Sequence, residues 1–190
     1  MVIFAAGNDA TAMSGYPGAY HDYISVTSFS PDYLPAYYTN YGPGCNISAP
    51  GGDYKISADA AKTYAEVLST VPSELSEYNG ADYGFMQGTS MACPHVSGVA
   101  ALGLSYALEK GKKFTLDEFK TMLLTSVNEI DSRLGEGSKA TIADVSIYRG
   151  KMGTGITDAY QLLMQIEGTP CLQVALGEVQ LIPLTQHFGQ

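Results

Sequence analysis

Residues 88–111 constrain the fold more than any other stretch. Gly88 is followed by Thr89 and Ser90, then by Val96, Val99, Ala100, Leu102, Leu104 and Leu108, closing at Gly111. This pattern predicts one long helix starting near Thr89-Ser90. It is apolar on nearly every side, and such a helix has to be buried. A chain of 190 residues can bury about two-thirds of its surface, so a core needs no metal or disulfide staple.

Strand-like runs precede that helix. Val2–Ala6 is short and continuously apolar, as for a strand covered on both faces. Ile24–Phe29 alternates and is β-branched, and residues 47–52 read as a short strand stopped by a Gly-Gly turn. Residues 30–44, with four tyrosines and three prolines, are expected to form a surface loop with an aromatic skin. Residues 53–69 are expected to hold a short helix in an insertion, and 70–89 a loop. A second helix should begin at Thr115, where Glu118 completes a capping box, with Phe119, Met122, Leu123 and Val127 on its apolar face. A third should begin at Thr157, cover Ala159 to Ile166, and stop at Gly168 and Pro170. Strands first, then strands alternating with helices, predict an α/β fold of three layers around a mostly parallel sheet.

Charge and cysteine content narrow the function. Ten basic against nineteen acidic residues leave a net charge of −9, which argues against binding a phosphate backbone. The charged fraction, 15%, is low against about 25% for globular domains. No apolar run near 20 residues is evident, so no membrane span is expected. Three cysteines without CxxC spacing (Cys45, Cys93, Cys171) speak against a disulfide framework or a zinc site, and Cys93 reads as a small buried thiol. Asp53, Asp59 and Asp82 read as solvated loop charges. Met1–Asn8 lacks the basic front of a secretory signal and reads as a buried strand ending in a turn, so sequence upstream is expected. Strand-like runs at 172–176 and 179–182 suggest a β-rich accessory domain or linker beginning at 169.

Chemistry concentrates in Gly88-Thr89-Ser90-Met91-Ala92-Cys93-Pro94-His95-Val96-Ser97-Gly98. Ser90 sits at the N-terminus of the helix, where backbone amides are unpaired and the dipole adds about half a positive charge. An anion forming there would be stabilised, as an acyl-transfer nucleophile requires. On this physics alone the commoner reading is that Thr89 or Ser90 simply caps the helix.

The string resembles the active-site serine segment of the subtilisin-like serine proteases, with Cys93 standing where a small Ser, Ala or Thr is usual. Phe4-Ala5-Ala6-Gly7-Asn8 is similar to the strand-to-loop segment that carries the family's oxyanion-hole asparagine. Gly15-Tyr16-Pro17-Gly18 resembles the base of the S1 pocket, Ser48-Ala49-Pro50-Gly51 the strand-end APG, and residues 153–159 the opening of the last catalytic-domain helix. The resemblance spans about 1–168 and implies a serine endopeptidase acting on polypeptides, secreted or surface-displayed. Ser90 would be its nucleophile and Asn8 a donor to the oxyanion. Ala5, Ala6, Gly7 and Gly15 would line the substrate pocket. It implies no cofactor beyond a structural cation on the carbonyls of Gly18, Tyr20 and Tyr23.

The family orders its triad Asp, His, Ser, with the first two upstream of the oxyanion asparagine. The chain therefore resembles the C-terminal part of a catalytic domain, and its parallel sheet is expected to be incomplete. His95, five residues after Ser90 on the same helix, is rotated about 140° from it and should miss the hydroxyl. His21 and His187 lie in a loop and in the tail. Without a base the hydroxyl is a poor nucleophile, so the 190 residues alone are expected to be nearly inactive. The competing expectation is a non-catalytic peptide-binding module on the same scaffold, and a weaker one is a ligand-binding domain in which Ser90 only caps its helix.

Overall fold

The computed structural model of the chain describes residues 1–56, 65–74, 80–135, 139 and 141–168. Its centre is a five-stranded sheet. Strand β1 (Ile3–Ala5) pairs in parallel with β2 (Ile24–Phe29), and β2 with β3 (Ile47–Pro50). Beyond β3 come β7 (Ile156–Thr157), parallel to it, and β6 (Val127–Asn128), antiparallel to β7. A separate antiparallel hairpin joins β4 (Val67–Thr70) to β5 (Tyr83–Met86). Three helices complete the order: α1 (Thr89–Glu109), α2 (Leu116–Thr125) and α3 (Ala159–Glu167).

Two cores sandwich the sheet. On one face Ile24, Val26, Ile47 and Ala49 pack against Ala92, Val96, Ala100 and Ala107 of α1, Phe119 and Leu123 of α2, and Leu162 and Ile166 of α3. On the other, Phe29 and Ile156 gather Ile130, Leu134, Ile142, Val145, Tyr148 and Met152 from loops and two short 3-10 helices. The expected layering and parallel pairing are present. The capping box also forms: Glu118 N–H donates to Thr115 Oγ1 and Thr115 N–H to Glu118 Oε2. Val127 leaves that helix for β6, and Thr157 belongs to β7. Asp158 caps α3 through Gln161 N–H, and left-handed Gly168 ends it.

Several expectations are corrected. Strand β1 is only partly buried, because it lies at the sheet edge. Helix α1 buries a single small-residue stripe, while Leu102, Leu104 and Leu108 on its other face are exposed. By length and composition alone α1 is long and apolar enough to cross a membrane, contrary to the sequence reading; its small-residue stripe instead packs on β1, β2 and β3. The second half of the tyrosine-rich loop is buried, with Tyr38 and Asn40 in the interior. Residues 67–70 and 83–86 are strands rather than helix and loop; at 54–56 there is one 3-10 turn. The C-terminal strand-like runs, Asp59, Cys171 and His187 lie outside the described residues.

Asp53 is not a solvated charge. It is fully buried, and its Oδ2 lies 2.8 Å from Lys139 Nζ. The ammonium also donates to Ser30 Oγ at 2.7 Å and Pro35 O at 2.9 Å. Asp53 accepts in turn from the amides of Tyr37 and Lys55. Every donor of the ammonium is thereby engaged, and the pair ties the exit of β3 to the 30–37 loop. Breaking a buried pair from one side strands a charge, a cost of about 3–5 kcal/mol. Lys139→Met should lower unfolding free energy by that order in guanidinium titration of the protein. The double variant Asp53→Asn/Lys139→Met should lose distinctly less.

Candidate active site

The sheet delivers two chain segments to one place. At the carboxyl end of β1 the chain turns through Gly7 and Asn8, and at the end of β3 it turns through Gly51. The amino end of α1 arrives beside both. Gly51 O accepts from Gly88 N at 2.9 Å, and a Cβ on Gly51 would stand 2.6 Å from Gly88 O and 2.1 Å from Ser28 Oγ. Only glycine lets the strand end and the helix entry approach this closely. Tyr38 braces the turn, its one hydroxyl proton shared between Gly51 O and Gly52 O at 2.8 and 2.6 Å.

Thr89 joins the helix to β1. Its backbone N–H and its hydroxyl both donate to Asn8 Oδ1, at 2.9 and 2.8 Å. The same hydroxyl accepts from Gly7 N at 3.2 Å. With Asn8 Oδ1 so held, the carboxamide NH2 is turned the other way. It borders a small space that Gly88 leaves open. The point where a Gly88 Cβ would stand is 3.5 Å from Asn8 Nδ2 and 3.6 Å from Ser90 N. Ser90 is the second residue of α1, so its N–H has no intrahelical acceptor. Its hydroxyl is exposed. Neither Thr89 nor Ser90 caps α1 through its side chain; the N-cap is Gly88.

The other predicted residues are placed as follows. Gly15 N donates to Ala6 O at 2.7 Å, so the 5–7 and 15–18 segments are hydrogen-bonded neighbours. Ala5 and Gly7 are partly exposed, but Ala6 is fully buried and its carbonyl is occupied by Gly15 and Asn40. Ala6 therefore fixes that wall and exposes no methyl to a ligand. His95 Nδ1 donates to Met91 O at 2.8 Å, within its own helix. His21 Nε2 pairs with Asp22 at 3.0 Å in an exposed loop. Among the described residues no histidine is bonded to Ser90. A shallow pocket beside Ser90, between β4 and the first turns of α1, is lined by Val67, Leu68, Ser69, Met91, Pro94 and His95.

Of the three carbonyls that the resemblance assigns to a cation, at Gly18, Tyr20 and Tyr23, that of Tyr20 is bonded within its own loop. Tyr20 O accepts from Tyr23 N at 3.0 Å. Lys120 Nζ from α2 donates to Asp22 O at 3.1 Å and His21 O at 3.4 Å, seating an ammonium on the same loop. Among the described residues no group of three or more His, Cys, Asp or Glu could hold a metal ion.

Sequence reasoning missed the clamp on Asn8. The sequence marks Thr89 as part of the serine segment and a candidate cap, and places Tyr38 and Asn40 in a surface loop. A tyrosine and an asparagine carry no local mark of which distant backbone they will grip.

A model described as the subtilase family matches residues 1–143. The chain belongs to the subtilase family. It is 32% identical over 147 residues to an extracellular basic protease of Dichelobacter nodosus, covering 77% of this chain and 22% of that protein. It is 31% identical over 159 residues to halolysin of Haloferax mediterranei, covering 84% and 23%. Among solved structures, a protease of Pseudoalteromonas arctica PAMC 21717 superposes with a TM-score of 0.61 at 30% identity, over 85% of this chain and 41% of that one. A lanthipeptide protease gives 0.64 at 27%, over 87% and 50%. The chain thus spans less than a quarter of the length of those two curated relatives, and half or less of those two solved chains.

Among the described residues of the subtilase two free cysteines, Cys45 and Cys93, are partly buried. Burial pushes Cys45 up to about 12, the Ser14 hydroxyl opposing it weakly, and burial also raises Cys93. Native Cys45 therefore keeps its proton where an unfolded thiol releases it near pH 8.5. Its contribution to stability is complete below that pH and is lost as pH rises toward 12. Iodoacetamide at pH 8 should leave Cys45 unmodified in the folded protein and alkylate it in urea, read by mass spectrometry.

Proposed function

We propose that this subtilase is the C-terminal part of the catalytic domain of a serine endopeptidase that cleaves peptide bonds through an acyl-enzyme on Ser90. The observation that carries the reading is the shared space beside Gly88, bordered by the Asn8 carboxamide nitrogen and the Ser90 amide. A substrate carbonyl attacked by Ser90 Oγ develops negative charge on its oxygen. Two donors fixed before the reaction stabilise that charge without reorganising. The amino end of α1, with no acidic residue in its first turn, adds to the favourable potential.

A general base must take the Ser90 proton as the C–O bond forms and return it to the leaving amine. Among the described residues none is placed to do this, since His95 and His21 are engaged elsewhere. The base and the aspartate that orients it belong, in this proposal, to sequence that the longer relatives carry and these 190 residues do not. The 190 residues alone would then be nearly inactive. Residues 169–190 would open a linker or accessory domain. Export from the cell is supported by the relatives named as extracellular.

A fluorophosphonate probe should label the full-length protein at Ser90, and Ser90→Ala should abolish labelling. Asn8→Ala should lower kcat by about 10²–10³ with little change in KM, the loss established for the corresponding donor in subtilisin. Folded full-length protein that stays unlabelled would instead favour a peptide-binding module that has lost catalysis. Thr89→Val keeps the backbone donor to Asn8 and removes the hydroxyl one. It should lower kcat by roughly tenfold, the factor for about 1.4 kcal/mol.

A further inference from the structure

We infer that Asn40 is a positioning residue for the oxyanion donor; this rests on the reading of Asn8 above. Four hydrogen bonds tie Asn40 to the backbone flanking Asn8, and its own carbonyl accepts a further one from Thr39 Oγ1 at 3.0 Å. Its N–H donates to Gly7 O at 3.0 Å and its Nδ2 to Ala6 O at 3.0 Å. Its Oδ1 accepts from Asp9 N at 2.9 Å and Thr11 N at 3.2 Å. The peptide units before and after Asn8 are therefore held from one side chain and its own amide. Asn40 is 2% exposed, so water cannot substitute for these bonds.

The grip has a physical reason to exist. The 7–11 turn contains a non-glycine residue, Ala10, at φ 52, a conformation that costs energy and persists only where neighbours enforce it. Ala10 N donates to Tyr38 O and Tyr41 N to Thr11 O, so the 38–41 segment forms a bonded track for the turn. Asn8 Oδ1 is held by Thr89 rather than by Asn40. Its side chain is aimed by Thr89, while the backbone that carries it is aimed by Asn40. Orientation of the Nδ2 donor needs both, and a displacement of about 1 Å can cost 10²-fold in rate. Asparagine alone supplies a donor for Ala6 O and a neutral two-lone-pair acceptor for two amides on one short stem.

The test is a double-mutant cycle in the full-length protein, with kcat expressed per fluorophosphonate-titrated site. Asn40→Ala should lower kcat about 10- to 100-fold at nearly constant KM. It should cause little further loss in the Asn8→Ala background, because the contact it aims is already gone. Asn40→Asp keeps the two acceptor bonds and loses the donor to Ala6 O; it serves if Asn40→Ala fails to fold, and the same coupling is expected. Phe119→Leu, a core change in α2 remote from the site, should lower Tm without altering kcat per titrated site. Losses from Asn40 and Asn8 that multiply independently, or an Asn40 variant with lower Tm and unaltered kcat per site, would overturn the inference and leave Asn8's role standing. An Asn8→Ala variant with unaltered kcat would instead overturn the reading of Asn8 and the inference with it.

Discussion

The joint between Thr89 and Asn8 is what the rest of the structure serves. One threonine uses its amide and hydroxyl on the same carboxamide oxygen, and accepts from the preceding glycine's amide. That arrangement needs β1 and the amino end of α1 to meet within hydrogen-bonding distance, though they are about 80 residues apart in sequence. The sheet makes the meeting possible, because the parallel strands β1, β2 and β3 end on one side. In open α/β sheets ligands bind outside the carboxyl ends of the strands. Here the strand-end turns and the helix entry are fixed to each other directly, so little of the site depends on long side chains.

Electrostatics follows the same economy. Unpaired peptide groups at the start of α1 favour negative charge at the site. The buried Asp53–Lys139 pair stands behind the site, where it locks the exit of β3 to the tyrosine-rich segment. That segment in turn carries Tyr38 under Gly51 and Asn40 under the Asn8 turn. A defect in the pair would therefore propagate toward the site through backbone carbonyls and amides.

What could be read from the sequence was local. The capping box at Thr115, the glycine stop of α3 and the alternation of Ile24–Phe29 each depend on residues within one turn or one strand. The signature around Ser90 was legible because several of its residues each answer a nearby demand: a glycine beside an open space, a threonine at a joint, alanines against a sheet. Long-range partners left no such trace. Lys139 looks like any surface lysine until the fold brings it to Asp53, and Asn40 like any loop asparagine. Helix α1 misled in the opposite direction, since an all-round apolar composition does not say which faces these residues cover. The β4–β5 hairpin was missed because Val67–Thr70 followed an alanine-rich stretch and Gly84 interrupts the strand pattern of β5.

The single contact from Gly88 N to Gly51 O has one more consequence. It fastens together the two ends of the segment 52–87, like the neck of a drawn bag. Whatever is added or removed inside that neck leaves the strand end and the helix entry where they were. Closing a longer excursion costs only about 0.6 kcal/mol per doubling of its length. Extra chain between residues 52 and 87 can therefore be accommodated while the end of β3 and the start of α1 stay joined.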